Sequence, residues 1–306
     1  MSAPPGLRVL LSGSRGLLAS ALIPLLRHRG HRVVRLVRRR VAGPDEVAWD
    51  PAAGTIDAAG LGGIDAAVHL AGERIAAVRW SRAKKARIYE SRIAGTRLLA
   101  ETLAGLAPRP RALLAASAVG FYGDRGEEVL TEESPPGETF LARLCRDWEA
   151  AADPARRAGL RVVHLRNANV LAGRRGFLAP LLPLFRLGLG GRLGSGRQYF
   201  SWIAIEDWLA AAYLLLTTDA VEGPVNMASP RPVTNAEFTR TLAQVLRRPA
   251  LFTAPAFAMR LVMGELAGEL LVSERVHPAR LLAAGFAFRY PALAEALRHL
   301  LRGERR

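Results

Sequence analysis

Apolar and polar residues between positions 7 and 40 follow the order strand, glycine turn, helix, strand. Residues 9 to 11 form an apolar run as long as a buried strand, and an amphipathic helix then extends to Gly30. A second strand is predicted from 33 to 37. A glycine turn between a strand and a helix directs backbone N–H groups toward an anion, usually a pyrophosphate. The pattern therefore predicts a dinucleotide site.

The glycine spacing narrows this prediction. Gly13, Gly16 and Ala19 form the pattern G-x-x-G-x-x-A, which differs from the G-x-G-x-x-G of the older dehydrogenase fingerprint. Glycines also end strands for purely structural reasons. The position of this turn between a predicted strand and a predicted helix favours cofactor binding over that alternative.

The second predicted strand ends in a basic run. Proteins that bind NAD usually place an acidic residue about 20 residues beyond the glycines, where it accepts hydrogen bonds from the ribose 2'-OH. Arg38, Arg39 and Arg40 occupy that place here. A guanidinium group suits a 2'-phosphate, so the run favours NADP over NAD. The alternative is a solvated basic turn in an arginine-rich protein.

Strands and helices continue to alternate through the first half of the chain, which is typical of a parallel sheet covered on both faces. Strands are predicted at 66–70, 111–116 and 161–165, with helices at 87–106 and 140–158. Helices at 235–247, 254–271 and 291–301 predict a smaller carboxyl-terminal domain. The expected fold class is α/β, a doubly wound parallel sheet with a mostly helical substrate domain.

Three segments directly follow these strands, at the edge of the sheet where ligands bind. They are HLAGE at 69–73, SAVGFYGD at 117–124 and RNANVLAG at 166–173. Ser117 and Tyr122 place a hydroxyl and a phenol in the second of them. Each segment alone is also compatible with an ordinary turn.

Composition limits the class of protein. With 306 residues, half of them hydrophobic, the chain can bury one large core or a core plus a smaller domain. No apolar run is long enough to span a bilayer, and the first residues carry no basic region ahead of an apolar segment. Cys145 is the one cysteine, which fits a reducing compartment. We expect a soluble, cytoplasmic protein without a membrane partner.

The formal net charge is +16, which raises the hypothesis of nucleic-acid binding. Only Lys84 and Lys85 are lysines, and the arginines are scattered without a recognised nucleic-acid motif, so no specific nucleic-acid partner is expected. His28 and His31 lack an acidic or cysteine partner, and no metal site is expected. The acidic residues between 124 and 149 are expected on a solvated loop and helix face.

Seven segments resemble, in order, the extended short-chain dehydrogenase/reductase superfamily: SGSRGLLASAL, DAAVHLAGE, ESRIAGTRLLAE, ASAVGFYGD, LRNANVL, GLGGRLGSGRQYFSWIAIEDW and GPVNMASPRPVTNAEF. More narrowly, the chain is similar to the branch of NAD-dependent epimerase/dehydratase-like proteins, also described as cell-division-inhibitor-like nucleotide-sugar epimerases. The resemblance covers roughly residues 7 to 301. The last two segments are quite specific to that branch, whereas the glycine turn is shared by the superfamily.

The resemblance implies an NADP-binding Rossmann domain formed by residues 1–172 and about 198–228, and a substrate domain formed by 173–197 and 229–306. It implies a pyrophosphate site at Gly13, Ser14, Arg15, Gly16, Leu17 and Leu18. Arg38 would meet the 2'-phosphate. The adenosine side would be formed by Leu70, Ala71 and Gly72, with Arg92 reaching the cofactor from the following helix.

One departure from the superfamily concerns catalysis. Members that move hydride use a Tyr-x-x-x-Lys pair, and none of the five tyrosines here has a lysine four residues later. Phe140 and Leu144 align with the two positions.

Two hypotheses follow. In the first, Ser117 holds an oxygen of a small or nucleotide-linked carbonyl or hydroxyl substrate, while Tyr122 or Asp124 transfers the proton with NADP as hydride carrier. An arginine would have to bring the pKa of the phenol toward neutrality. In the second, the protein is a non-catalytic NADP-binding regulator or sensor. The sequence favours the enzyme, and a homodimer is left open.

Overall fold

A computed structural model of the chain describes residues 6–75, 79–173 and 175–302. The strands are β1 (Arg8–Ser12), β2 (Arg32–Val37), β3 (Glu46–Asp50), β4 (Thr55–Ile56), β5 (Ala66–His69), β6 (Ala112–Ala118), β7 (Val129–Leu130), β8 (Arg161–Asn167), β9 (Asn169–Ala172), β10 (Arg175–Gly176), β11 (Gly191–Leu193), β12 (Tyr199–Phe200), β13 (Trp202–Ala204), β14 (Gly223–Met227), β15 (Val233–Thr234), β16 (Phe252–Ala254) and β17 (Arg275–Val276).

The helices are α1 (Leu17–His28), α2 (Arg82–Ala104), α3 (Phe140–Ala150), α4 (Asp153–Arg157), α5 (Leu181–Arg186), α6 (Ile205–Thr217), α7 (Asn235–Leu246), α8 (Ala256–Met263), α9 (Glu265–Leu271), α10 (Ala279–Ala283) and α11 (Leu293–Leu300). No helix of the described residues is long and apolar enough to cross a bilayer.

Within the described residues, eight strands form one sheet in the order β14-β8-β6-β5-β1-β2-β3-β4. Neighbouring strands pair in parallel except for β3 and β4. The chain begins at β1, moves outward through β2 and β3, and then returns to β5 on the other side of β1. The strand order therefore reverses at β1, where such sheets open a crevice at the carboxyl ends of their strands. The predicted doubly wound α/β fold is confirmed.

The period of two along β1 places side chains in two apolar cores, one on each face of the sheet. Val9 and Leu11 pack into a cluster with α1 and α6, in which Trp208 is fully buried. Leu10 lies in the opposite cluster, which α2 covers through residues such as Leu99. Burial on both faces explains why the central strands are continuously apolar.

Several predicted elements have different bounds. The helix predicted at 140–158 is divided into α3 and α4. The helix predicted at 254–271 is divided into α8 and α9 at Gly264, which has a φ of 60°. β6 extends beyond the predicted strand to Ala118, so Ser117 lies inside the strand and not after it.

Much of the carboxyl-terminal part packs on its own cluster. Residues of α5, α7 and α11 surround Trp202 of β13 and Phe238 of α7. β17 returns to the Rossmann part and pairs in parallel with β7. The proposed division into two domains stays a prediction, and its outer ends, residues 1 and 306, lie outside the described residues.

Candidate functional site

The glycine turn after β1 has no room for a side chain. Gly13 has a φ of 72°, and a Cβ atom there would lie 2.7 Å from the carbonyl oxygen of Leu70 and 2.8 Å from the nitrogen of Ala71. The N–H of Gly16 donates to the Gly13 carbonyl at 2.8 Å. Glycine is required at position 13 because the backbone is left-handed and contacts the end of β5 directly.

A buried hydroxyl links this turn to the end of β5. Ser12 Oγ accepts hydrogen bonds from the N–H groups of Leu70 at 3.1 Å and Ala71 at 3.2 Å. It also lies 2.7 Å from His69 Nδ1. Burial lowers the pKa of His69 to about 4. A neutral ring with Nδ1 as the acceptor leaves the single Ser12 proton for His69 and both lone pairs for the N–H groups.

Arg92 supports the next residues of the same loop. Its Nη1 donates to the carbonyls of Glu73 at 3.0 Å and Ile88 at 3.1 Å, and its guanidinium lies 4.9 Å from the centre of the Trp148 ring. A Cβ atom on Gly72 would lie 3.3 Å from Arg92 Cζ. Burial lowers the pKa of this guanidinium. The structure brings Arg92 and Gly72 together, while contact of Arg92 with a nucleotide stays a prediction.

The basic run at the end of β2 is divided between two roles. Arg39 Nη2 binds Glu46 Oε1 at 2.5 Å, so this arginine is paired within the fold. Arg38 is exposed. It lies close enough to Glu73 to contribute to the lowered pKa of that carboxyl, whose main cause is the hydrogen bond from Lys84. Arg38 therefore faces solvent on the side of the loop that follows β5.

The remaining residues expected at the pyrophosphate surround the start of α1. Arg15 and Gly16 are exposed, and Ser14, Leu17 and Leu18 are partly buried. No side chain caps the first turn of α1. Its free backbone N–H groups therefore remain available to an anion. The donor set of this turn fits a dinucleotide.

Ser117 is held in a buried ionic network. Its Oγ donates to Glu149 Oε1 at 2.7 Å, and Arg166 binds both oxygens of the same carboxylate at 2.9 and 3.0 Å. Ser117 is only 2% exposed. The expectation that the acidic residues between 124 and 149 lie on a solvated surface is wrong for Glu132 and Glu149, because both are enclosed and bonded to other parts of the fold.

Tyr122 is completely buried, and its hydroxyl donates to Asn226 Oδ1 at 2.7 Å. The arginine that the enzyme hypothesis requires is present, since Arg166 Nη1 donates to the Tyr122 oxygen at 3.0 Å. Burial nevertheless outweighs it and raises the pKa of Tyr122 to about 12. The shift toward neutrality that the enzyme hypothesis requires of this phenol is therefore absent, and its pKa moves in the opposite direction. Asp124 is exposed and accepts from the N–H of Ser273 at 3.1 Å.

A cavity of about 610 Å³ lies beside β8 and β14, away from the glycine turn after β1. Its lining includes Val162 and His164 from the first half of β8, together with Gly223 and Pro224 at the start of β14. Ligands of parallel sheets bind at the opposite, carboxyl ends of the strands, so this cavity is separate from the cofactor crevice. The described residues hold no cluster of His, Cys, Asp and Glu that could bind a metal ion.

Comparison with known protein families matches residues 9–228 to the NAD dependent epimerase/dehydratase family. The chain belongs to this family. Residues 254–300 match a second family, DUF1731, described as a domain of unknown function. The first match spans the glycine turn, the Ser117 strand and β14, and the second includes the segment that pairs with β7.

Relatives of this epimerase family member resemble it over nearly its whole length. Epimerase family protein Mb2239 of Mycobacterium bovis is 44% identical over 292 residues, 94% of this chain and 96% of the relative. The crystal structure of human epimerase family protein SDR39U1 with NADPH has a TM-score of 0.87 and 35% identity, and covers 97% of this chain and 99% of that one.

A crystal structure of the nucleoside-diphosphate sugar epimerase from Corynebacterium glutamicum has a TM-score of 0.81 and 39% identity, and covers 98% of this chain and 59% of that one. The resemblance inferred from the sequence is thereby confirmed.

This epimerase family member has apolar packing where the superfamily keeps its tyrosine and lysine. Phe140 packs edge-on against Trp80, with the ring centres 5.4 Å apart. Leu144 is buried in the same cluster with Ile88 and Leu266. Neither position can move a proton.

Sequence reasoning missed four residues that shape the site. Ser12 precedes the glycine turn and was not distinguished from the strand. Glu149 lies in the helix predicted at 140–158 and Arg166 directly follows the strand predicted at 161–165, but nothing local showed that the two side chains would pair. Glu274 lies far along the chain, and the fold brings its carboxyl group beside Gly120.

Proposed function

We propose that this protein is an NADP(H)-dependent enzyme of the epimerase/dehydratase family. It acts as an epimerase or reductase on a carbonyl or hydroxyl carbon of a small or nucleotide-linked substrate. The observation that carries the proposal is the juxtaposition of the Gly13 turn, the loop after β5 and the exposed Arg38.

Each part of the crevice has a physical role toward the nucleotide. The uncapped N-terminus of α1 would hold the pyrophosphate with backbone N–H groups of residues 14–18. Arg38 would pair with the 2'-phosphate, since Arg39 is already engaged by Glu46. Leu70, Ala71 and Gly72 would contact the adenosine side, and Arg92 would hold that loop from beneath. The bound nucleotide would supply a hydride donor or acceptor.

The human relative supports NADP over NAD, since it was crystallised with NADPH and is similar to this chain along its whole length. Phosphate recognition by an arginine that follows the second strand is the expected chemistry for that choice. The substrate class rests on the family and on the oxygen-directed chemistry of its members. We place Ser117 and Tyr122 behind the substrate surface, where their hydroxyls position Glu149, Arg166 and Asn226.

A second candidate function is a non-catalytic NADP-binding regulator or sensor. Two observations favour it. The hydroxyls of Ser117 and Tyr122 both donate hydrogen bonds to buried partners, and the residues at positions 140 and 144 are apolar. In such a protein the nucleotide would select one conformation and change contacts with a partner. Both candidates require NADP(H) binding, and only the enzyme requires a proton donor in the crevice.

The deciding experiment is calorimetric titration of the wild type and Arg38→Glu with NADPH and NADH. We expect the wild type to bind NADPH more than tenfold more tightly, a difference above about 1.4 kcal/mol, and Arg38→Glu to lose that preference. Arg27→Glu makes the same charge change on the exposed last turn of α1 and should keep the preference. Absence of binding by either nucleotide would overturn the proposed function.

A further inference from the structure

The segment around Glu274 is fixed where the two parts of the molecule meet. The N–H of Glu274 donates to the Tyr199 carbonyl at 3.2 Å, and Ser201 Oγ donates to the Glu274 carbonyl at 2.6 Å. On its other side, Ser273 Oγ donates to the Gly126 carbonyl, and β17 pairs with β7. The backbone of Glu274 is therefore held by β12 and by Ser201 between β12 and β13, and its neighbour Ser273 is held by the loop after β6.

The carboxyl group of Glu274 lies at the carboxyl end of β6. A methyl group built on Gly120, which follows that strand directly, would be 3.9 Å from Glu274 Oε1 and 3.2 Å from Leu141 Cβ. Glu274 is also close enough to the Cys145 thiol, one turn further along α3, to contribute to the raised pKa of that thiol, whose main cause is burial. The carboxyl group thus lies near the first turns of α3, which contain the positions where the superfamily keeps its tyrosine and lysine.

Strand order shows which half of a dinucleotide would come near this group. The pyrophosphate belongs at β1, and Arg38 directs the adenosine half toward β2. The other half must then extend over β5 and β6 on the opposite side of β1. Gly120 and Glu274 lie at the end of β6, on the nicotinamide side of the crevice.

The surroundings of this carboxyl group favour its protonated form. None of the described residues donates a hydrogen bond to its oxygens, although the residue as a whole stays partly accessible. The carboxylates that act on it are Glu269 of α9 and Asp124 of the loop after β6, and the neutral Cys145 thiol of α3 lies near it. Burial first, and then these two carboxylates, raise the pKa of Glu274 to about 8. At neutral pH the group carries a proton that it can donate.

We propose that Glu274 is the proton donor and acceptor of the crevice, in place of the missing Tyr-x-x-x-Lys pair, an inference that rests on the proposed NADP(H)-dependent function. In the reducing direction a carbonyl carbon receives a hydride from the reduced nicotinamide, and its oxygen receives the Glu274 proton. The resulting carboxylate takes a proton from water. In the oxidising direction the carboxylate accepts the proton of the alcohol, and the oxidised nicotinamide receives the hydride from the same carbon.

The test measures proton release when nucleotide binds, by calorimetry at pH 7.5 in two buffers of different ionisation enthalpy. NADP⁺ carries a positive nicotinamide ring and NADPH a neutral one, whereas their phosphates are the same. A carboxyl group beside the ring should lose its proton when the positive ring arrives. We expect the wild type to release about half a proton more with NADP⁺ than with NADPH.

Two variants and a control complete the design. Glu274→Gln should abolish the difference between the nucleotides while both still bind, and Glu274→Asp should keep a reduced difference. Glu295→Gln removes an exposed carboxylate from α11 and should behave as the wild type. Circular dichroism melting of each variant establishes that it is folded.

Three results would overturn the inference. If both nucleotides bind to the wild type without a difference in proton release, no titrating group lies beside the ring. If Glu274→Gln keeps the difference, another group is responsible. If neither nucleotide binds, the proposed function fails first and the inference fails with it, so the two failures are distinguished by the binding heats themselves.

Discussion

Arg166 and Glu149 form two parallel hydrogen bonds, from Nε to Oε1 at 2.9 Å and from Nη2 to Oε2 at 3.0 Å. The guanidinium side chain is 4% exposed and the carboxylate side chain 12%. The pair joins β8 to α3 and accepts the Ser117 hydroxyl as a third partner. The same arginine lies 3.5 Å from the centre of the Phe121 ring. One ion pair therefore holds the floor of the crevice after β6.

Removal of one partner of this pair should destabilise the protein strongly. Arg166→Met leaves Glu149 enclosed without its counter-charge, and we expect a loss of about 3 kcal/mol in the free energy of unfolding. Urea denaturation followed by tryptophan fluorescence measures it. The double variant Arg166→Met with Glu149→Leu should lose less than the sum of the single losses. Additive losses would show that the two side chains do not interact energetically.

The Gly13 turn should not tolerate alanine. The new Cβ would meet backbone atoms of residue 70 at 2.7 Å in a left-handed conformation, so we expect a loss of more than about 2 kcal/mol and no NADPH binding. Gly30→Ala is the matched control, because Gly30 also has a positive φ, of 81°, but no atom within 4 Å. It should lose only about 1 kcal/mol and bind normally. Equal effects in both variants would contradict a steric role for the contact.

His69 should make stability depend on pH. Its pKa is about 4 in the folded protein and 6.5 in the unfolded chain, because burial disfavours the charged ring. The contribution is complete above pH 6.5 and is lost as the pH falls from 6.5 to 4, by about 3 kcal/mol. His69→Asn keeps an acceptor for Ser12 without a titrating ring, so urea unfolding at several pH values should show the wild type losing its advantage over this variant.

The exposed His28→Asn variant controls for a general effect of histidine removal and should follow the wild type at every pH. If the wild type and His69→Asn change in parallel between pH 6.5 and 4, the burial of a neutral ring at position 69 is refuted.

Tyr122→Phe should lower stability while leaving NADPH binding intact. The variant removes a hydroxyl that bonds Asn226 and Arg166 in the interior, and we expect a loss of about 1 to 2 kcal/mol in the free energy of unfolding. Thermal unfolding and NADPH titration measure the two effects separately. A variant that is as stable as the wild type would show that this buried hydroxyl has no structural role and would return it to the candidates for catalysis.

The local pattern was sufficient to predict most elements of the sheet, because a buried strand and a covering helix each have their own apolar period. It failed where an element's end depends on other elements. Nothing in the apolar run at 111–116 shows that pairing with β8 continues to Ala118, and that extension turns Ser117 toward Glu149. The break between α3 and α4 has a local cause that the predicted helix at 140–158 passed over, because Pro154 lies in the first turn of α4.

The residues of the candidate site likewise fall into those that the sequence could identify and those that it could not. Gly13, Gly16 and Arg38 could be found from the sequence because a left-handed turn, a helix start and a basic run after a strand are properties of neighbouring residues. The roles of Tyr122 and Arg166 could not be found, since burial reverses the pKa shift that their pairing alone would predict. A neighbouring cation lowers the pKa of a phenol, whereas the loss of water around the phenol raises it. Which effect is larger depends on how deeply the phenol is buried, and only the tertiary structure shows that.

The sequence by itself determined the fold class, the glycine turn and the basic run that follows β2, since sterics and short-range hydrogen bonding act within a few residues. The tertiary structure alone decided that β17 returns to β7 and brings Glu274 to the end of β6. It also decided that Arg166 meets Glu149 and that Arg39 is engaged while Arg38 stays exposed. These contacts join residues distant in sequence, and they form only when the apolar faces of the elements have packed.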